Sequence, residues 1–379
     1  MKYIFLLSGD YINIGVEEIL SLFKVKKYML LNKILIVGLE HNEQEIKKII
    51  KRLALIKSIY KLLFECKINE IKKFMKNFSW NSVYKESFCL RVHDLNNAIT
   101  KKSIDGKSNK KIFNNEKLNK NIQNKKSKKD LKLSEKNLAG YIWHAVKGPK
   151  VNLKNPKTKI EIFIADGKAY CGLSVYENKE NFEARQSHLR PFPHPSSLHP
   201  KVARALINIT GIKENETLLD PFCGTGGFLI EAGLMKIKSI GCDINKIMIN
   251  GCKENLKHYK IRNYKIKKQN ALRINHKFDY VVTDLPYGLN SNVILKYEKD
   301  WKKYRINKKI ETKNFTKNLE KFYLLFLKNL RKRLKKRAVI VFPSYVNHRK
   351  LLKNSGFKIE KEFEDYVHRS LTRKIIKIV

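Results

Sequence analysis

The chain has 379 residues and a formal net charge of +45, enough length for two or three domains and an excess of base that points to a polyanionic partner, RNA or DNA. Lysine far outnumbers arginine, and Asn and Ile are abundant; A/T-rich coding produces that skew but does not explain the shortage of acids. The longest apolar stretch, YMLLNKILIVGL, is broken by Asn32 and Lys33, short of the ~20 apolar residues of a membrane helix. MKYIFLLSGD is closed by Asp10 too soon for a signal peptide. These features exclude a membrane protein and predict a soluble, cytoplasmic one. Cys66, Cys89, Cys171, Cys223, Cys242 and Cys252 contain no Cys-x-x-Cys pair, which predicts buried, reduced thiols and no metal site.

Residues 1–60 read strand, helix, strand, helix, an N-terminal α+β subdomain. KYIFLLSG is the first strand, and YINIGVEEILSLF has helical spacing at Ile14, Val16, Ile19, Leu20 and Phe23. YMLLNKILIVGL reads as one or two strands and EQEIKKIIKRLALI as an amphipathic helix. Residues 61–178 continue in mixed α+β style. SFCLRVHDL alternates like a strand. The Lys/Asn/Ser-rich stretch at about 100–133 cannot bury a core and reads as an inserted loop, with a basic arm against phosphates as the functional version of the same reading. NLAGYIWHAV is helical, and two strands then meet at Asp166-Gly167, a hairpin signal. Residues 179–193 form a polar linker, stiffened by Pro191 and Pro193. From 194 to 379 strands and helices alternate, which predicts a parallel doubly wound sheet.

The second half carries the chemistry. ETLLDPFCGTGGFLIEAGLM reads strand, glycine-rich turn, helix, and Gly224, Gly226 and Gly227 let the backbone approach a ligand closely. Such a turn alone suits many nucleotides. Asp220 at its start would repel a pyrophosphate but accept from an amine. Asp243 ends the next strand, KSIGCDIN, nineteen residues past Gly224, the offset at which a carboxylate grips ribose hydroxyls. Together they suit S-adenosylmethionine. NAD and a plain structural turn are the alternatives; with no lysine after the glycines, a P-loop is excluded. YKIKKQNA ends on Asn270-Ala271, where an amide can meet adenine or merely cap a turn. The candidate cofactor residues are Asp220, Pro221, Phe222, Gly224, Thr225, Gly226, Asp243, Ile244, Asn270 and Ala271.

FDYVVTDLPYG is the fourth strand of this sheet. Ligands bind beyond the carboxyl ends of strands in open α/β sheets, so Asp284 sits beside the cofactor. A nucleobase amine is a poor nucleophile because its lone pair is delocalised. Asp284 and the carbonyl of Leu285 can each accept one N–H, aiming the lone pair at a methyl group while Asp284 stabilises the developing positive charge. Pro286 fixes the backbone, and Tyr287 offers a stacking face worth roughly 1–3 kcal/mol. A rival, nucleophilic attack on a pyrimidine by Cys223, is opposed by the place of that thiol in the glycine turn.

These residues resemble the archaeal tRNA guanosine-10 N2-methyltransferases, a family with an N-terminal THUMP RNA-binding region. The resemblance is carried by VNLKNP at 151–156, HPSSLHPKVARALIN at 194–208, DPFCGTGG, DLPYG, and YVHRSLTRKIIKIV at 366–379. It implies a Rossmann-like methyltransferase domain behind a THUMP-containing α+β region, the THUMP-like part covering 61–178. It also implies S-adenosylmethionine as donor, N2 of a tRNA guanine as acceptor, and one or two transfers; a monomer is expected. Leu285 stands where the commoner amine-methyltransferase motif has a first proline, and its carbonyl remains. FYLLFLKNLRKRLKKR reads as an amphipathic helix ending in a basic cluster, a solvated face or a phosphate contact. The alternatives are another tRNA or rRNA guanine, an adenine or glutamine amine, and an RNA binder with an inactive pocket.

Overall fold

The computed structural model describes residues 1–41, 43–96, 134–195, 197–287, 312–369 and 371–379; the basic insertion at about 100–133 and Gly288 of the DLPYG run lie outside them. The first half carries β1 (Lys2–Leu7), α1 (Ile12–Phe23), β2 (Tyr28–Leu31), β3 (Ile34–Gly38), α2 (Glu43–Ile50), β4 (Ile56–Lys67), α3 (Ile71–Asn77), β5 (Phe88–Asp94), α4 (Glu135–Ala145), β6 (Thr158–Ala165) and β7 (Lys168–Glu177). The second carries α5 (Pro200–Ile209), β8 (Thr217–Asp220), α6 (Gly227–Leu234), β9 (Lys238–Asp243), α7 (Lys246–His258), β10 (Tyr264–Lys268), β11 (Phe278–Asp284), α8 (Thr312–Arg331), β12 (Leu334–Pro343), α9 (His348–Asn354), β13 (Ile359–His368) and β14 (Leu371–Ile378).

Two compact units emerge. The first comprises Met1–Gly9, Lys27–Glu40 and Ile56–Glu177, built on one sheet of order β2-β3-β1-β4-β7-β6-β5. The hairpin predicted at Asp166-Gly167 joins β6 to β7, both turn residues having positive φ, 49° and 72°, the geometry of a type I′ turn. Trp80, Met75, Phe88 and Ile142 form a core under α3 and α4. Residues 1–60 do not stand as a subdomain of their own. β1 pairs with both β3 and β4, so their strands are part of this sheet, whereas α1 and α2 belong to the second unit.

The second unit, Asp10–Lys26, His41–Leu55 and Asn178–Val379, has the predicted doubly wound sheet, of order β10-β9-β8-β11-β12-β14-β13. Strands β8 to β12 are parallel, and β14 closes against β12 antiparallel. Both faces of the centre are covered, so its strands are apolar without alternation: Val282, Val339 and Val341 enter the core shared with α5, α6 and α7, while Val281, Ile340 and Phe342 enter the core with α8 and α9.

Two boundaries differ from the sequence expectation. Helix α8 ends at Arg331, and Lys335, Lys336 and Arg337 lie in β12, because Leu334 must register with Phe278 of β11. Residues 179–193 are not a free linker. The guanidinium groups of Arg185 and Arg204 each lie over the Phe182 ring, 5.0 Å from its centre, and both arginines pair with the fully buried Glu231 of α6. All six thiols are free and buried. Among the described residues no helix is long and apolar enough to cross a membrane, and no three His, Cys, Asp or Glu side chains group to hold a metal.

Candidate active site

β8 is the first strand of the second sheet, β9 joins it on one side and β11 on the other. The strand order therefore reverses between β8 and β11, and the crevice at their carboxyl ends is where an open α/β sheet takes its ligand. Three strand-ending carboxylates meet there: Asp220 on β8, Asp243 on β9 and Asp284 on β11.

The glycine turn leads from β8 into α6. Gly224 and Gly226 have φ of 50° and 87°, a region L side chains resist. A Cβ on Gly224 would meet nothing within 4 Å, whereas one on Gly226 would lie 2.6 Å from Sγ of Cys252. The first glycine faces open space and the second is packed from behind, which makes an open cradle on one side only. Asp243 shapes the cradle. Its Oδ2 accepts from the Gly224 N–H at 3.0 Å and its Oδ1 from the Asn245 N–H at 2.8 Å. The Ile244 N–H also donates to this carboxylate, which keeps lone-pair capacity for a ligand hydroxyl, and burial raises the carboxyl above the usual range.

Asp220 lies beneath the turn and is not offered to a ligand: it is 1% exposed. Its Oδ1 accepts from the Phe222 N–H at 3.1 Å and the Thr283 hydroxyl at 2.7 Å. Burial pushes this carboxyl up to about 7, against those two bonds and with the fields of Asp243 and Asp284. The remaining candidates divide. Ile244 is exposed at the cleft rim, whereas Thr225 and Ala271 are buried. Thr225 turns inward, its carbonyl accepting from Asn255. The Phe222 ring stands edge-on to Phe326 at 5.0 Å, and Pro221 lines a small cavity with Phe326 and Ala271. Asn270 caps a 3-10 turn, its amide oxygen accepting from the Leu272 N–H at 2.9 Å.

At the tip of β11 the backbone is held from both sides. The Leu285 N–H donates to the Val341 carbonyl at 3.1 Å, and the side chain of Leu285 is in the core. The Tyr323 hydroxyl donates to the Pro286 carbonyl at 2.7 Å, and that of Tyr345 to the Tyr287 carbonyl. Tyr287 does more than present a ring: its hydroxyl donates to Asp284 Oδ1 at 2.6 Å and accepts from Arg373 Nε at 3.1 Å. Burial pushes the Asp284 carboxyl up to about 6, opposed first by Arg373 and then by the Tyr287 bond. Arg373, Thr283, Tyr323 and Tyr345 did not stand out in the sequence. Thr283 adjoins the DLPYG motif and Arg373 lies inside the closing stretch YVHRSLTRKIIKIV, but neither stretch marks which side chain reaches the site.

Residues 187–293 match the family described as RMKL-like, methyltransferase domain. The chain is 28% identical over 334 residues to the tRNA (guanine(10)-N2)-dimethyltransferase of Methanothermobacter thermautotrophicus, spanning 87% of this chain and 83% of that one. It is 33% identical over 250 residues to the protein of the same name from Pyrococcus abyssi, spanning 64% and 68%. A crystal structure of TrmN from Thermus thermophilus shares the fold with a TM-score of 0.50 and 13% identity, covering 100% of this chain and 99% of that one. Fold and cleft together define a Rossmann-like methyltransferase. Within that class, the chain belongs to the tRNA (guanine(10)-N2)-dimethyltransferase family.

Proposed function

We propose that this protein transfers methyl groups from S-adenosylmethionine to the exocyclic N2 of guanine 10 in tRNA, once or twice. The observation that carries the proposal is the position of Asp284, a half-buried carboxylate at the carboxyl end of β11, beside the glycine turn at the reversal of strand order.

When bound, S-adenosylmethionine supplies an electrophilic methyl group. The open face of Gly224 and the lone pairs of Asp243 fit its main chain and ribose contacts. Asp220 braces the turn from below, Ile244 and Phe222 flank the cleft, and Asn270 offers its amide NH2 to the adenine. Asp284 accepts an N–H of the guanine amine and orients the nitrogen lone pair. Orientation of this kind is worth up to ~7–11 kcal/mol. With its carboxyl at about 6, Asp284 is mostly ionised at neutral pH. It stabilises the positive charge that passes to nitrogen as the N–C bond forms and the donor's sulfur–methyl bond breaks, the thioether leaving, and it is poised to take the departing proton. Leu285 supplies its carbonyl as the second acceptor. Pro286 holds the turn, and Tyr287 gives the base a ring edge to lie against. Unstacking the guanine costs a few kcal/mol, met by tRNA contacts elsewhere. The first unit, with the basic insertion, is the tRNA-binding THUMP region in this reading, and the enzyme works as a cytoplasmic monomer.

The test is mass-spectrometric mapping of modified guanosine in tRNA after incubation with the donor, for wild type and Asp284→Ala. N2-methylated guanosine at position 10, absent with the variant although the variant still binds tRNA, is the expected result. Methylation at another guanine would move the target, and near-normal turnover by Asp284→Ala would remove Asp284 from the chemistry.

A further inference from the structure

We infer that Arg373 is a positioning residue for methyl transfer: through the Tyr287 hydroxyl it decides which oxygen of Asp284 is left to receive the substrate amine. The inference rests on the role of Asp284 proposed above.

Arg373 lies on β14, at the register position opposite Pro343 of β12. Its Nε donates to the Tyr287 hydroxyl oxygen at 3.1 Å and its NH1 to Asp365 Oδ2 at 3.2 Å. Asp365, on β13, is itself buried and accepts from the Tyr11 hydroxyl at 3.1 Å through Oδ1. The row Tyr11, Asp365, Arg373, Tyr287, Asp284 is therefore continuous. Its direction is fixed by elementary chemistry. A guanidinium has donors only, so the tyrosine oxygen must accept from it. The single tyrosine proton is then forced toward Asp284 Oδ1, at 2.6 Å. That bond takes one lone pair of Oδ1, whereas among the described residues Oδ2 carries no hydrogen bond and is the less encumbered acceptor.

The same groups govern ionisation. Burial raises Asp284, Arg373 and the Tyr287 bond lower it, and Asp365 raises it. Asp220 on β8 and Tyr323 on α8 share its field. Without the guanidinium, the carboxyl loses its largest opposing influence and the tyrosine hydroxyl is free to turn away.

The experiment measures single-turnover methyl transfer to tRNA from about pH 5 to about pH 9 for wild type, Arg373→Gln and Tyr287→Phe. Affinity for S-adenosylmethionine is measured by calorimetry, and each variant is melted. The acid limb, near pH 6 in the wild type, is expected to move up by about one pH unit in both variants. Donor affinity is expected to stay within about twofold, as befits a role outside the cofactor cradle. Tyr287→Phe keeps the ring and its packing, so the question remains answerable if Arg373→Gln does not fold. An acid limb that stays in place in Tyr287→Phe overturns the inference. Asp284→Ala in the same assay separates the two readings: an inactive Asp284→Ala beside an unmoved limb defeats the role of Arg373 alone, whereas an active one defeats the role of Asp284.

Discussion

Thr283 donates its hydroxyl to Asp220 at 2.7 Å, across the join between β11 and β8 where the order of strands reverses. Both side chains are buried, so the bond ties the tip of the proposed amine-binding strand to the root of the glycine turn. Asp220 is the costly member. A carboxylate in that position is stable only with partners, and the two it has do not fully offset its burial, since the carboxyl sits at about 7.

That imbalance predicts a pH dependence. The folded pKa, about 7, lies above the ordinary value of 3.8, so the folded state holds the proton more tightly than the unfolded chain. The contribution of Asp220 to stability is fully present below about pH 4 and is lost as pH rises through about 7. Asp220→Asn keeps an acceptor oxygen for Phe222 and Thr283 but cannot ionise. Relative to wild type, the variant is expected to gain on the order of 2–4 kcal/mol between about pH 4 and pH 8. Urea titrations of both proteins at the two pH values measure this difference, and a constant difference would show that Asp220 does not titrate in the window.

The two positive-φ glycines of the turn are expected to respond differently to alanine. At Gly226 the added methyl strains the backbone and runs into Cys252 Sγ, so Gly226→Ala should lose about 2–4 kcal/mol of stability and its donor affinity with it. At Gly224 the methyl enters open space, the space assigned to the donor. Gly224→Ala should lose only about 1 kcal/mol of stability while weakening S-adenosylmethionine binding at least tenfold. Paired urea and calorimetric measurements decide it. Equal losses of stability in the two variants would contradict the one-sided cradle.

With a net charge of +45, tRNA binding should be steeply sensitive to salt. A footprint of about 6–10 phosphates would lose roughly 10³–10⁵ in affinity between about 50 and 200 mM salt. Filter binding over a salt series gives the slope; a shallow slope would mean that most of the lysines are solvated and make no phosphate contact.

The parts of the site legible in the sequence are those where local pattern and chemistry coincide. Asp220, Asp243 and Asp284 each end an apolar strand, and the strand–helix alternation of a parallel sheet puts those carboxyl ends on the same side. Side-chain partnerships made over long separations were not legible. Arg373 reaches Tyr287 from 86 residues away, and although each lies in a recognisable stretch, nothing in either stretch marks the pairing. The same holds for α1 and α2. Their helical period could be read from Ile14, Val16 and Ile19, but not the unit they join. A helix preceded and followed by strands of one sheet looks like part of that sheet's layer, and only its buried polar partners show otherwise. Helix α8 was over-extended because Lys and Arg suit a helix end well, and the pairing of β12 with β11 overrode that preference.

Those buried partners give the last prediction. Glu18 of α1 is 0% exposed. Its carboxylate accepts from the Ala54 and Leu55 N–H groups at 2.8 and 2.9 Å and from the Asn208 amide of α5 at 2.7 Å. Asn208 in turn donates to the Arg52 carbonyl and accepts from its guanidinium, both at 2.9 Å. Burial raises Glu18, yet three donors converge on it. Removing the side chain leaves two buried backbone N–H groups and an amide without the carboxylate they donate to. Glu18→Ala is therefore expected to cost about 3–5 kcal/mol. Glu18→Gln, which keeps an acceptor oxygen, should cost less than half of that. Because α1 and α5 pack on the side of the sheet opposite α8, both variants should keep wild-type affinity for S-adenosylmethionine wherever they remain folded. Denaturant titration and calorimetry test the two statements separately. If Glu18→Ala unfolds at the same urea concentration as wild type, the polar seam between α1 and α5 contributes nothing, and apolar contacts such as Ile14 alone hold the N-terminal helix in place.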